Sequence, residues 1–128
     1  MIKKQKEVPL APLFSLYYST ETGKIMMGVF PRISITYCTQ CNWMLRAAWL
    51  AQELLQTFGQ DLSEVALRPG TGGVFEIHLY MQNGQDELIW ERKRDGGFPE
   101  AKVLKQRVRD LVWPDRDLGH SDSKPKPE

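Results

Sequence analysis

Cys38 and Cys41 are the two cysteines of this 128-residue chain, and they stand three positions apart as Cys-Thr-Gln-Cys. A close pair of this kind either cycles between dithiol and disulfide or helps hold a metal ion. Structural zinc takes four ligands, usually as two close pairs. The two histidines, His78 and His120, fall in a predicted strand and near the end of the chain, so no metal site is expected. The redox alternative requires a thiolate, because the thiolate is the attacking form of cysteine.

The flanking pattern favours one. Residues 32–37 alternate apolar and polar with period two, as a strand with one buried face does, whereas from 42 to 58 the apolar residues recur at helical spacing. The pair therefore sits on a strand-to-helix turn, where unpaired N–H groups and the positive end of a helix favour negative charge. A free thiol titrates near about 8.5, and such a setting lowers that value. In the usual logic of dithiol proteins Cys38 is the exposed attacker and Cys41, one turn into the helix, resolves the mixed disulfide. Either sulfur could nevertheless be the primary nucleophile.

Hydrophobic residues make up 41% of the chain and charged residues 26%, with a formal charge of +1, the profile of an ordinary soluble domain. No apolar run reaches the roughly 18 residues of a membrane span, and Pro9 and Pro12 interrupt what would be the core of a signal peptide. A cytoplasmic location is expected, where a cysteine pair is more often redox-active or metal-binding than a structural staple. Near-neutral charge gives no general attraction for nucleic acid or membrane. The basic residues Arg92, Lys93, Arg94, Lys102, Lys105, Arg107 and Arg109 read as a solvated surface, with an RNA-binding α/β domain as the weakest alternative.

The elements follow as strands at 32–37, 64–68, 74–82 and 87–91, with helices at 42–58 and 99–113. Gly59 stops the first helix, Pro99 opens the second, Pro114 ends it, and Asn83-Gly84 marks a hairpin. Residues 1–31 could form a hairpin around 20–24 or a loosely held leader, the latter being preferred; 115–128 reads as a disordered tail. The redox domain is thus 32–114. All four strands alternate, with Leu88 and Trp90 opposing Ile89 in the last. Met44, Ala47, Ala48, Ala51, Leu54, Leu55 and Phe58 form the expected buried stripe of the first helix, and Val103, Leu104, Val108, Leu111 and Val112 that of the second. One-sided strands imply both helices on one face of the sheet. A β-α-β-β-β-α order with a right-handed first crossover gives a thioredoxin-like α/β two-layer sandwich built on a four-stranded mixed sheet.

Three stretches, Tyr37-Cys-Thr-Gln-Cys-Asn-Trp43, Pro69-Gly-Thr-Gly-Gly-Val-Phe-Glu-Ile77 and Lys93-Arg-Asp-Gly-Gly-Phe-Pro99, resemble the signature segments of the selenoprotein W/T/H (Rdx) family, and more closely its bacterial cysteine-containing branch. The resemblance spans about residues 32–113. It implies a thioredoxin-like fold and a thiol-dependent role in cell redox homeostasis. In selenium-containing members the second position of the pair is selenocysteine; here it is Cys41. The chain lacks the proline found inside many thioredoxin and glutaredoxin sites.

The expected site is therefore Cys38 and Cys41 as the reacting pair. Thr39, Gln40, Trp43 and the loop Thr71, Gly72, Gly73 would contact substrate, because that loop and the cysteine turn end neighbouring strands. Its bare backbone suits the close approach of a peptide or glutathione. Trp49 is expected to pack, and His78 to face away on the polar side of the sheet. No organic cofactor is needed. The expected partners are glutathione or a thioredoxin-type reductant and proteins bearing thiols or disulfides, with a homodimer also compatible. A redox-sensitive protein-binding module without turnover is the alternative function.

Overall fold

The structure, a computed structural model, describes residues 14–19 and 24–122. Strands β1 (Phe14–Ser19) and β2 (Lys24–Val29) pair antiparallel as a separate two-stranded sheet. This segment therefore takes the hairpin form rather than that of an unpaired leader; residues 1–13 and the connection at 20–23 lie outside the described residues. The second sheet contains β3 (Arg32–Cys38), β4 (Glu64–Gly70), β5 (Phe75–Tyr80) and β6 (Asp86–Glu91), in spatial order β4-β3-β5-β6. β3 and β4 are parallel, while β5 runs antiparallel to both β3 and β6. Helix α1 (Met44–Phe58) makes the crossover from β3 to β4, and α3 (Ala101–Val112) follows β6 through a one-turn helix, α2 (Arg92–Asp95). This is the expected thioredoxin-like arrangement.

Alternation decides which face is covered. Ile33 and Ile35 of β3 and Phe75, Ile77 and Leu79 of β5 are fully buried against Ala47, Leu50, Ala51, Leu54 and Phe58 of α1 and Leu104 and Val108 of α3. Both long helices thus lie on one face. Lys105 of α3 joins Glu53 of α1 at 2.8 Å, tying the two helices together. On the other face Ser34 meets the Tyr80 hydroxyl at 3.3 Å, and His78 meets Asp86 at 3.2 Å.

The helical stripes are narrower than expected. Met44 and Leu55 are exposed, Leu50 takes a core position, and Leu111 of α3 is also exposed. Met44 falls on the buried stripe by spacing, but it lies beyond the sheet and beside the cysteine turn. Trp49, expected to pack, is 55% exposed. In β6 both Ile89 and Trp90 are buried, against the expected alternation, because the register slips between Ile77 and His78. Such a bulge sets two residues opposite one. β4 continues through Pro69 to Gly70 instead of ending at 68; as an edge strand it can hold a proline, whose missing N–H need not enter the ladder.

The segment after α3 is held, which corrects the expected disorder for 115–122. Arg109 bonds both carboxylate oxygens of Asp122 at 2.7 and 2.9 Å, and that carboxylate also accepts the Leu118 N–H. Arg116 pairs with Asp61 at 2.7 Å, and Trp113 stacks on Phe58 with centroids 5.0 Å apart. Polar composition had concealed these long-range partners. Residues 123–128 lie outside the described residues.

Arg109 and the Leu118 N–H hold the Asp122 carboxyl at about 2, below its ordinary 3.8. A carboxyl depressed on folding stabilises the native state above its unfolded value and loses that contribution as pH falls through its folded value. Asp122→Asn should therefore lower the urea midpoint at neutral pH, and the gap from wild type should close as pH falls from 3.8 towards 2. Urea melts across that range check it.

Gly70 supplies a second test. It pairs with Cys38, and a Cβ there would lie 2.9 Å from Val74 Cγ1 and 3.2 Å from Thr36 Cγ2. Both neighbours are β-branched and stiff, so Gly70→Ala should destabilise by about 1–3 kcal/mol, read by equilibrium unfolding.

Candidate redox site

Parallel β3, β4 and β6 deliver their carboxyl ends to one edge of the sheet, and antiparallel β5 brings its amino end there. That edge collects Cys38, Gly70, the loop 71–74 and Arg92. Cys38 is the last residue of β3. The chain then reverses: the Asn42 N–H donates to the Thr39 carbonyl at 3.1 Å, and the Trp43 N–H to the Cys38 carbonyl at 3.3 Å. Asn42 permits this with a left-handed backbone, φ 61°; asparagine is enriched in that region. Thr39 fastens the turn to β4, its N–H and hydroxyl both donating to the Gly70 carbonyl at 3.0 and 3.1 Å.

This reversal lays Cys41 over Cys38. The Cys41 thiol donates to the Cys38 sulfur at 2.6 Å, against about 2.05 Å for a covalent S–S bond. The two sulfurs are not equally accessible. Cys38 has 0% of its surface exposed, whereas Cys41 is half-buried. Cys38 is therefore not the exposed sulfur of the pair, and Cys41 is not one turn into the helix: it lies in the turn, ahead of Met44, where α1 begins. The strand's alternation turns Cys38 inward, and the reversal brings Cys41 out.

The electrostatics divide the pair as well. The Cys41 thiol lowers the Cys38 pKa below the ordinary thiol value; burial opposes this, while the backbone N–H groups of Gly73, Cys41 and Gln40 assist. Cys41 is raised, first by its bond to Cys38, then by burial and by the Cys38 charge, with Gly73 and Arg92 acting in the opposite direction. The two shifts run in opposite directions, so of the pair Cys38 is the sulfur that favours the negative charge and Cys41 the one that favours the proton. The groups that stabilise the Cys38 charge are the partner thiol and nearby peptide N–H groups, those of Cys41 and Gln40 belonging to the turn itself.

Gly73 (φ 74°) lies beside the cysteine turn, where the strand order places its loop, and its N–H also meets the sulfur pair. Gln40 acts through its backbone; Thr71 and Gly72 are exposed beside the turn. Trp43 is half-buried and forms the rear wall, edge-on to Phe98 at 4.9 Å and to Phe75 at 6.4 Å between centroids. His78 lies on the opposite face of the sheet, and among the described residues no group of three or more His, Cys, Asp or Glu is arranged to hold a metal. Three contributors went unrecognised in the sequence. Asn42 had a legible signal, an asparagine just before a helical run. Gly70 was hidden in the loop by the early strand end, and Arg92 by the run of basic residues around it.

Beside the pair an open groove of about 370 Å³ is lined by Tyr37, Thr39, Asn42, Met44 and Leu45. Leu45 is 74% exposed, and Trp49 follows one turn along α1. No helix among the described residues is long and apolar enough to cross a membrane.

Known proteins are similar to this chain. A protein of Bordetella parapertussis is 68% identical, with a TM-score of 0.58 over 64% of this chain and 98% of that one. The selenoprotein W-related protein from Vibrio cholerae is 63% identical, with a TM-score of 0.57 over 63% and 95%. Migration and invasion enhancer 1 of Mus musculus is 30% identical over 68% of this chain and 70% of its own length; the Bos taurus form is 31% identical with the same shares. The sequence profile of the Rdx family matches residues 32–110, from the first residue of β3 nearly to the end of α3, and the chain belongs to that family.

Proposed function

We propose that this protein is a thiol–disulfide oxidoreductase that cycles Cys38 and Cys41 between dithiol and disulfide and serves cell redox homeostasis in the cytoplasm. One observation carries this reading: the sulfur of half-buried Cys41 stands 2.6 Å from that of fully buried Cys38, whose pKa is lowered. The pair can therefore exchange a proton and close a bond without a large rearrangement.

Cys41, the accessible sulfur, attacks. Its proton passes to the Cys38 thiolate, and the Cys41 thiolate displaces one sulfur of a substrate disulfide, forming a Cys41–S–S–R bond. The leaving thiolate takes the proton from Cys38. The Cys38 thiolate then attacks the Cys41 sulfur, closing the Cys38–Cys41 disulfide and expelling the second thiolate, which takes a proton from water. In sum, one dithiol is oxidised and one substrate disulfide becomes two thiols. Two equivalents of glutathione, or one thioredoxin-type dithiol, restore the reduced pair. Cys41 is also the position that holds selenium in the family's selenium-containing members, consistent with its role as attacker.

Thr39, Gln40, Trp43, Thr71, Gly72 and Gly73 are the residues proposed to shape the approach to Cys41. Thr39 and Gln40 are exposed on the turn, and Thr71 and Gly72 on the facing loop. The alternative, a redox-sensitive binding module without turnover, draws support from the exposed Met44, Leu45 and Trp49 beside the groove.

Turnover of a small disulfide with glutathione as reductant separates the two readings. Cys41→Ser should reduce the rate to background. Cys38→Ser should accumulate a mixed disulfide on Cys41, visible as a glutathione-sized mass increase. Full turnover in Cys41→Ser would contradict this reading, while partner binding without turnover in the wild type would establish the module.

A further inference from the structure

Arg32, Arg94, Arg107, Arg109 and Arg116 each face a carboxylate, on Glu64, Asp95, Asp95, Asp122 and Asp61 respectively. Among the described residues Arg46, Arg68 and Arg92 have no carboxylate partner, and of these Arg46 and Arg68 are exposed whereas Arg92, just after β6, is half-buried. Its Nε donates to the Gly73 carbonyl at 3.3 Å, and its guanidinium carbon lies 5.0 Å from the centroid of the Trp43 ring. A Cβ on Gly73 would come 3.5 Å from Nη2, so the guanidinium lies close against that glycine.

The backbone carrying Arg92 is itself fixed. The Glu91 carboxylate accepts the N–H groups of Lys93 and Arg94, and the Asp95 carboxylate accepts the N–H of Glu91. A cation partly removed from water without a carboxylate is costly unless another negative group meets it. At this edge the charge of Arg92 acts on the Cys41 sulfur. The charges acting most on the Cys41 sulfur are the Cys38 thiolate, which opposes its ionisation, and Arg92, which favours it.

We propose that Arg92 is a positioning residue of the cysteine site, holding the Gly73 peptide against the sulfur pair and supplying the positive charge that makes Cys41 reactive. The proposal rests on the dithiol reading above. Arg92 acts through two routes. Its Nε–H to the Gly73 carbonyl fixes the loop whose N–H meets the sulfurs, and its charge favours the Cys41 thiolate when the proton moves to Cys38. Planarity suits it to both tasks, since one guanidinium can stack on Trp43 and bond Gly73 together; lysine carries the charge without the fork.

Iodoacetamide alkylation of the reduced full-length protein across pH, with each cysteine resolved by peptide mass spectrometry, tests this in wild type, R92Q and R92K. R92Q should move the Cys41 midpoint upward and slow its alkylation at neutral pH about three- to tenfold, and R92K should recover part of that loss. An unchanged midpoint in R92Q, with only its melting temperature lowered, would mean a merely structural arginine and overturn the proposal. The unmodified protein gives a second reading that does not depend on a variant folding: the Gly73 amide nitrogen resonance must shift as the thiols titrate. A resonance that stays fixed overturns the proposal. Because ionisation is read without substrate, failure of the oxidoreductase reading would leave these results standing.

Discussion

The contact between the two sulfurs exists because the chain reverses within a few residues of the end of β3, and that reversal is fixed at both ends. On one side Thr39 is bonded twice to the Gly70 carbonyl of the parallel neighbour strand. On the other, the Trp43 N–H closes onto the Cys38 carbonyl, with Asn42 in the left-handed region between them. The room for this comes from Gly70, whose missing side chain lets Val74 and Thr36 approach. Sheet register therefore sets sulfur geometry. Slipping β4 by one residue would remove Gly70 from Cys38 and replace it with Pro69 or Thr71.

From that geometry follows a division of labour between chemically identical groups. Cys38 belongs to the inward face of a strand and is shielded from water; Cys41 belongs to a turn. Burial alone would raise both thiols. Local hydrogen bonds reverse the direction for Cys38, while Cys41 stays raised. Negative charge is thus favoured on the sulfur that is shielded from solvent, within hydrogen-bond reach of the one that is half-buried. The aromatic cluster of Trp43, Phe75 and Phe98 closes the rear of the site, and edge-to-face pairs of this kind contribute about 0.5–1.5 kcal/mol each beyond simple burial.

Much of this was legible in the residue pattern. Period-two alternation in β3 and β5 located the covered face, since both strands lie inside the sheet and pack on one side. The switch from period two to helical spacing located the cysteine turn. Where the reading failed, a contact distant in sequence had prevailed. The bulge in β6 turned Ile89 inward, which no local pattern announces. Met44 and Trp49 have apolar side chains at helical positions that run beyond or outside the sheet's cover, so spacing alone could not place them. The segment 115–122 reads as polar and unstructured, yet Arg109 of α3 reaches into it at the Arg116 carbonyl and Asp122, and its own Arg116 reaches out to Asp61. Which cysteine is accessible was also beyond the sequence, because it depends on a four-residue reversal rather than on spacing.

The account stands on Cys41 being the outward sulfur and Cys38 the sheltered one. The most direct test is limiting N-ethylmaleimide on the native, fully reduced protein, followed by peptide mapping of the first label incorporated. The predicted result is modification of Cys41 first, with Cys38 labelled only once denaturant opens the fold. Label appearing on Cys38 first, or equally on both, would contradict the account.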